Sequence, residues 1–304
     1  FYGMKVLLLL YLTKYHLFSD DHGYNLIGAY GGLVYAIPVI GGLLADRYLG
    51  MRKSVVFGGI LLCLGHFGMA FEGAQAQMVD GVVTRDEGAL KVFYLSLSLI
   101  IMGVGFLKPN ISNIVGKLYP DGDPRREAGF SIYYAGINIG ALMASLFAAY
   151  LGETYGWRFG FGAAGVGMVL GLITFVLGQK YLMGHAEPRD PALLAQTVFA
   201  GLSREKMIYL ASLGGIGVVW CLIQAHSIMV ALGGFFPEMS VVLWFMHGVT
   251  AVFLVWLGWF LVTQCTPVQR QQMGVLLALI VCCLIFFTLY EQTYGSWVLF
   301  SDRV

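Results

Sequence analysis

Long apolar segments follow one another along most of the chain, separated by short polar connections. An apolar segment of about 20 residues is long enough to cross the roughly 30 Å hydrocarbon core of a bilayer as a helix. These runs do not alternate with polar residues, as the strands of a membrane β-barrel would. The pattern predicts nine transmembrane helices, at approximately residues 1–17, 25–46, 54–72, 90–116, 128–151, 159–182, 207–231, 241–263 and 273–299.

The composition agrees with a helical membrane protein. Of the 304 residues, 58% are hydrophobic and 12% are charged, whereas soluble domains average about 25% charged residues. The 18 basic and 17 acidic side chains nearly balance, which argues against a nucleic-acid binder. The five cysteines lie in or beside apolar runs without CxxC spacing, and the six histidines are scattered. We therefore expect no disulfide framework, no metal site and no enzyme active site.

Basic residues between the helices predict the orientation of the chain. One set of connections contains eleven Lys and Arg residues, and the opposite set contains five. Because cytoplasmic loops are enriched in these residues, the first set is expected to face the cytoplasm, and so is the N-terminus. The chain opens within an apolar helix and without an initiator Met, so we expect further residues upstream of Phe1.

Two ionisable side chains lie within the predicted spans. Lys108 lies well inside the fourth span and is followed by Pro109, and Glu291 lies in the ninth. A charged side chain in mid-membrane costs about 2.5–3.5 kcal/mol on insertion scales, so each one indicates a function by default. Either both side chains line a central water-filled cavity and exchange protons there, or Lys108 snorkels to the cytoplasmic interface and Glu291 faces the outer water.

Polar side chains at helical spacing accompany these charges. Tyr2 and Lys5 share one face of the first span, Tyr35 lies in the middle of the second, and Asn138 lies one turn after Tyr134 in the fifth. Such side chains either line the same cavity or only hydrogen-bond a neighbouring helix.

Asp46 and Arg47 end the second span within a charged cluster. The cluster is either a topology signal or a conformational latch. In a latch, an ion pair of Asp46 with a neighbouring bundle would hold one conformation and break in another.

Four segments of the chain resemble the motifs of a known family. The run Gly41–Lys53 (GGLLADRYLGMRK) is similar to the signature loop after the second helix of the major facilitator superfamily. The segments Phe1–Lys5 (FYGMK), Gly105–Ser112 (GFLKPNIS) and Phe130–Gly140 (FSIYYAGINIG) resemble, in order and spacing, motifs of the proton-dependent oligopeptide transporter (POT) family of that superfamily.

The resemblance implies an all-α polytopic membrane protein with the major facilitator fold, in which two six-helix bundles are joined and bacterial members insert two further helices. By this resemblance, residues 1–183 would form the N-terminal six-helix bundle and 184–206 a cytoplasmic linker. Residues 207–264 would form the two inserted helices, and 265–304 the first helix of the C-terminal bundle, the rest of which we expect to be absent.

The resemblance also implies roles for single residues. The substrate-binding residues would be Tyr2, Lys5, Tyr35, Lys108, Asn138 and Glu291. Lys108 would engage the carboxylate of a peptide or of the first-helix motif, and Asn138 would bind a peptide terminus or backbone. Lys108 and Glu291 would take part in proton coupling. Lys5 stands where an arginine is usual, which keeps the charge but removes bidentate carboxylate binding.

The function implied by the resemblance is proton-coupled import of di- and tripeptides by alternating access in a bacterial inner membrane. The coupling ion would be the proton, with no other cofactor. The expected partners are peptides, protons and membrane lipid, with no obligate protein partner. The alternative is a transporter of the same fold that moves nitrate, an amino-acid conjugate or a drug-like molecule.

Overall fold

The computed structural model describes residues 2–120, 122–199, 201–231 and 241–304, without the side chains of 6 and 225–231. Most of this part of the chain is helical. The α-helices are α1 (Tyr2–Leu10), α2 (Asp20–Leu44), α3 (Met51–Met69), α4 (Glu87–Lys117), α5 (Arg125–Tyr155), α6 (Trp157–Gly178), α7 (Pro191–Ala195), α8 (Arg204–Ala231), α9 (Val241–Thr263), α10 (Pro267–Glu291) and α11 (Ser296–Arg303).

Shorter elements extend or connect these helices. Single π-helical turns continue α1 at Tyr11–Tyr15 and α2 at Ala45–Leu49, and 3-10 turns follow α6 at Gln179–Leu182 and α10 at Gln292–Tyr294. Two antiparallel hairpins pair β1 (Gln77–Val79) with β2 (Val82–Thr84) and β3 (Thr197–Phe199) with β4 (Leu202–Ser203). The second hairpin and α7 give structure to the polar connection predicted at 184–206.

Several of the helices are long and apolar enough to cross a membrane. Within the described residues, seven such segments occur: Asp20–Leu49, Glu87–Lys117, Arg125–Tyr155, Trp157–Leu182, Arg204–Gln224, Val241–Thr263 and Pro267–Arg303. The other two predicted spans coincide with α1 and its π-helical turn, and with α3. Helix boundaries differ from the predicted ones by a few residues, because polar N-terminal turns such as Asp20–Asp21 are helical without being apolar.

The ninth span, predicted over 273–299, lies within the apolar segment Pro267–Arg303, but this segment is not one regular helix. Helix α10 begins at Pro267 and ends at Glu291, and a 3-10 turn follows. The backbone then breaks at Gly295, with φ −122° and ψ −110°, before α11 begins. The apolar pattern continues across the break, so hydropathy does not reveal it.

Helix α4 lies at the centre of the packing. It contacts α2, α3 and α8, and its buried side chains include Phe93, Leu97, Ile100 and Phe106. The same hydrophobic core includes Tyr30 of α2 and buried leucines of α1. The helix that contains Lys108 is therefore fixed from several sides.

Glycine allows α2 and α4 to approach each other closely. Pro109 has no N–H, so the Gly105 carbonyl one turn earlier lacks its helical donor, although α4 continues through the proline. A Cβ on Gly41 of α2 would collide with that carbonyl group. The close approach brings Tyr35 of α2 within reach of Lys108 on α4.

Candidate transport site

Lys5 and Glu291 form an ion pair between α1 and the end of α10. The ammonium of Lys5 donates a hydrogen bond to Oε2 of Glu291, although the two residues lie 286 positions apart. The Lys5 side chain is only 5% exposed, whereas that of Glu291 is 35% exposed. A buried charge needs a partner of opposite sign, and Glu291 supplies one where α10 gives way to the 3-10 turn.

Two tyrosine rings lie beside lysine ammonium groups at this ion pair. The Lys5 ammonium lies 4.4 Å from the ring centroid of Tyr294, and the Lys108 ammonium lies 4.4 Å from that of Tyr35. The Tyr35 hydroxyl donates a hydrogen bond of 3.4 Å to Oε1 of Glu291. The contacts therefore run from Lys108 through Tyr35, Glu291 and Lys5 to Tyr294, and we call these five residues the charged cluster.

The structure brings together some of the predicted site residues and not others. Lys5, Tyr35, Lys108 and Glu291 all belong to the charged cluster, in which Tyr35 lies between Lys108 and Glu291. Asn138 is exposed, and its Nδ2 donates a 2.8 Å hydrogen bond to the Tyr134 carbonyl one turn earlier in α5. The bond lies within α5 and is therefore not the predicted bond to a neighbouring helix, and a binding role of Asn138 stays a prediction. Tyr2 lies partly buried on α1, one turn before Lys5, and interacts electrostatically with Glu291, so it lies beside the charged cluster.

Tyr294 belongs to the cluster but is absent from the sequence-based prediction. It comes from the 3-10 turn after α10, where the sequence predicts a continuing helix. In a regular helix, positions three and four apart share a face, which would already place Tyr294 on the same side as Glu291. That spacing is the one signal from which its membership could have been inferred.

The predicted latch residues lie at the end of α2, in its π-helical turn. Asp46 and Arg47 are both exposed, and the Arg47 guanidinium lies 5.5 Å from the Tyr48 ring centroid. Among the described residues, the ion pairs near this turn are formed by Arg52 and Lys53 of α3 instead. A latch at Asp46 stays a prediction.

Arg52 and Lys53 attach the segment between α6 and α8 to the start of α3. Nη2 of Arg52 donates to Glu187 at 2.9 Å, and Nζ of Lys53 donates to Glu205 at 2.6 Å. The backbone N–H of Arg52 also donates to the Ala186 carbonyl at 2.9 Å. The hydrogen bonds from Arg52 hold the pKa of the Glu187 carboxyl below its usual range. Sequence reasoning identified the basic motif but not its acidic partners.

A second set of ion pairs joins α11 to the N-terminal helices. Lys14 pairs with Asp302, and Nη1 and Nη2 of Arg303 each donate to a carboxylate oxygen of Asp20 at 2.8 Å. Leu299 of α11 packs in the same region in one apolar cluster with leucines of α1. The ninth span is thus tied to the N-terminal helices on both sides of its break, through Glu291 before it and through α11 after it.

The charged cluster has side chains that can bind a small zwitterion. Its two ammonium groups can bind a carboxylate, and its one carboxylate can bind an amine or take up a proton. The tyrosine rings supply apolar surface that does not select for one side chain.

Comparison with known proteins identifies the family. The model of the POT family matches residues 52–304. The chain belongs to the POT family. The sequence-based prediction of this family, and of an all-α polytopic membrane protein with the major facilitator fold, is therefore confirmed.

Individual relatives agree with this assignment. This POT-family chain is 33% identical to a Bacillus subtilis protein named uncharacterized transporter YclF, over 100% of this chain and 57% of that protein. It is 38% identical to the di-/tripeptide transporter of Lactobacillus helveticus, over 62% of this chain and 38% of that protein.

Solved structures agree as well. The peptide transporter POT in complex with sulfate has a TM-score of 0.73 at 32% identity, and the match covers 99% of this chain and 57% of that one. A mutant of the peptide transporter POT in complex with alafosfalin has a TM-score of 0.72 at 31% identity, with the same coverage. The chain thus spans little more than half the length of these solved transporters.

Proposed function

We propose that the whole protein is a proton-coupled symporter that imports di- and tripeptides by alternating access. The observation that carries the proposal is the charged cluster, in which two lysines, one carboxylate and two tyrosines meet between α1, α2, α4 and the end of α10. Membership of a family of peptide transporters supports it, as does a relative named di-/tripeptide transporter.

A peptide of two or three residues fits the charges of the cluster. Such a peptide is a zwitterion whose side chains vary, so a site that accepts many peptides must hold the two charged ends. Lys108, which lies on a tyrosine ring and has no ion pair with the described residues, is suited to the peptide carboxylate. Glu291 is suited to the coupling proton, because protonation would break its ion pair with Lys5.

The ion pairs of α11 support an alternating-access mechanism. Lys14–Asp302 and Asp20–Arg303 tie α11 to the N-terminal helices. In the orientation that the basic loops predict, these two ion pairs lie at the outer side of the membrane. We therefore assign the structure to a state closed to the outside, in a protein with its N-terminus in the cytoplasm of a bacterial cell.

The division of the chain follows from the same proposal. Residues 1–183 would act as one bundle, 184–206 as its cytoplasmic linker and 207–264 as the inserted helices. Residues 265–304 would then be the part of a second bundle whose contacts with the first bundle form and break during alternating access.

Uptake of labelled dialanine into liposomes that contain the whole protein tests the function. We expect uptake to rise with an inward proton gradient and to be blocked by unlabelled di- and tripeptides. Proton-driven uptake of another solute without competition by peptides would instead favour the alternative of nitrate, an amino-acid conjugate or a drug-like molecule.

Lys108→Ala tests the central residue of the proposal. Loss of this ammonium should abolish proton-driven dialanine uptake, because the peptide carboxylate would lose its cation in a site shielded from water. Lys91→Ala is the matched control, since Lys91 lies exposed at the start of the same helix. Full uptake by Lys108→Ala, with the control also active, would overturn the assignment.

A further inference from the structure

Tyr294 contacts the Lys5 ammonium in addition to Glu291. Its ring centroid lies 4.4 Å from Nζ of Lys5, and the residue is only 8% exposed. Its hydroxyl lies 3.4 Å from the hydroxyl of Tyr290, one turn earlier. The break at Gly295 ends the turn directly after Tyr294. The ring is thus fixed against a buried cation rather than left free at a helix end.

We propose that Tyr294 is a positioning residue that keeps the Lys5 ammonium in the charged cluster when Glu291 is protonated. The inference deepens the proposed function and rests on one part of it, namely that Glu291 takes up a proton. It does not depend on which solute is carried.

The reason is the environment that Lys5 experiences in the two protonation states. With Glu291 ionised, the carboxylate compensates the ammonium. With Glu291 neutral, the ammonium stays buried and needs another source of negative potential. The face of an aromatic ring supplies such potential through its quadrupole, and more effectively where water is excluded. A neutral Glu291 no longer holds the ammonium, so Lys5 can move further onto the ring face, and Tyr294 then stabilises the protonated state of the cluster more than the ionised state.

Among the described residues, the other groups near Lys5 supply no second anion for its ammonium. Among the described residues, the titratable groups near the pair are Tyr2 of α1, Tyr35 of α2, Lys108 of α4, and Tyr290 of α10. Lys108 carries the same charge as Lys5, and the others are phenols. Within this part of the chain, Glu291 is the carboxylate that pairs with Lys5.

Replacement of the ring should therefore make Glu291 harder to protonate. In Tyr294→Leu, half-protonation should need a proton concentration about three to ten times higher than in the wild type. Tyr294→Phe keeps the ring and loses the hydroxyl, so its midpoint should stay close to the wild-type value. Tyr294→Met gives a second variant without a ring, since methionine fills irregular space well.

An infrared titration of the purified whole protein, without substrate, measures this midpoint directly. The carboxylic acid band of Glu291 is identified by its loss in Glu291→Gln. Tyr181→Leu is the matched control, because Lys180 lies 5.0 Å from the centroid of that exposed ring, away from the cluster. We expect acid shifts in the Leu and Met variants of Tyr294, and none in Tyr294→Phe or in the control.

Two results would overturn the inference. One is a wild-type midpoint in both variants that lack the ring. The other is an equal shift in Tyr294→Phe, which would assign the effect to the hydroxyl bond with Tyr290. The titration is independent of transport, so an acid shift in a protein that carries no peptide would reject the proposed substrate while the role of Tyr294 stands.

Discussion

Removal of the Glu291 carboxylate should destabilise the protein more than removal of the Lys5 ammonium. The two side chains form one ion pair but differ in exposure, at 5% for Lys5 and 35% for Glu291. Glu291→Gln leaves a buried cation without its carboxylate. Lys5→Met leaves an anion that water can still reach.

The exposures set the expected magnitudes. Breaking a buried ion pair by removing one partner costs about 3–5 kcal/mol. Glu291→Gln should cost about 3 kcal/mol, at the lower end, because the Tyr294 ring still faces the ammonium. Lys5→Met should cost about 1–2 kcal/mol, since water and the Tyr35 hydroxyl still solvate the carboxylate. The double variant should cost about 1 kcal/mol, because it buries no unpaired charge.

A double-mutant cycle on the unfolding free energy in detergent micelles measures the coupling. From these values, the two substitutions should be non-additive by about 3–4 kcal/mol. The matched control is the pair of Lys14 and Asp302, whose side chains are 47% and 25% exposed. More exposed pairs of this kind couple by about 0.2–1 kcal/mol.

Either of two results would refute the reasoning. Additive single substitutions would mean that the ion pair contributes nothing to the folded state. A larger cost for Lys5→Met than for Glu291→Gln would mean that burial of the cation does not dominate the energetics of the pair.

Two further predictions concern packing and pH. Gly41→Ala should lower the unfolding free energy by about 1–3 kcal/mol, because its Cβ would collide with the Gly105 carbonyl. Gly42→Ala should leave the unfolding free energy nearly unchanged, since its Cβ would lie 3.5 Å from the nearest atom. Thermal melts of both variants measure the difference. The lowered pKa of Glu187 means that its pair with Arg52 stabilises the fold above the ordinary glutamate pKa, and that this contribution is lost as the pH falls through the lowered value. Arg52→Gln should thus reduce stability at neutral pH by about 0.5–1 kcal/mol and flatten the pH dependence in thermal melts; an unchanged pH profile would contradict this.

The sequence predicts the helical membrane fold well because each long apolar run marks a helix by its own composition, without reference to distant residues. The same local patterns do not determine which distant side chains meet. Lys5 and Glu291 were each singled out on their own, but their pairing depends on how the first and ninth spans pack. The pairs of α11 with Lys14 and Asp20 were missed for the same reason.

The break after Glu291 is a different kind of failure. Residues 296–300 are as apolar as a continuing helix would be, and the change lies in the backbone of Gly295. Irregular backbone at membrane depth occurs where it is buried in protein or lines a cavity. The break at Gly295 comes directly after Tyr294 and separates the charged cluster from the ion pairs of α11.

The balance of charge in the cluster links the two proposed ligands. Within the described residues, Lys5 and Lys108 share one carboxylate, so the cluster is positive even when Glu291 is ionised. Protonation of Glu291 adds a further positive charge, which should strengthen binding of a peptide carboxylate. By linkage, a bound carboxylate must favour protonation by the same factor. Under the proposed function, a cluster with two cations and one titratable anion would therefore couple proton and peptide without any direct contact between them.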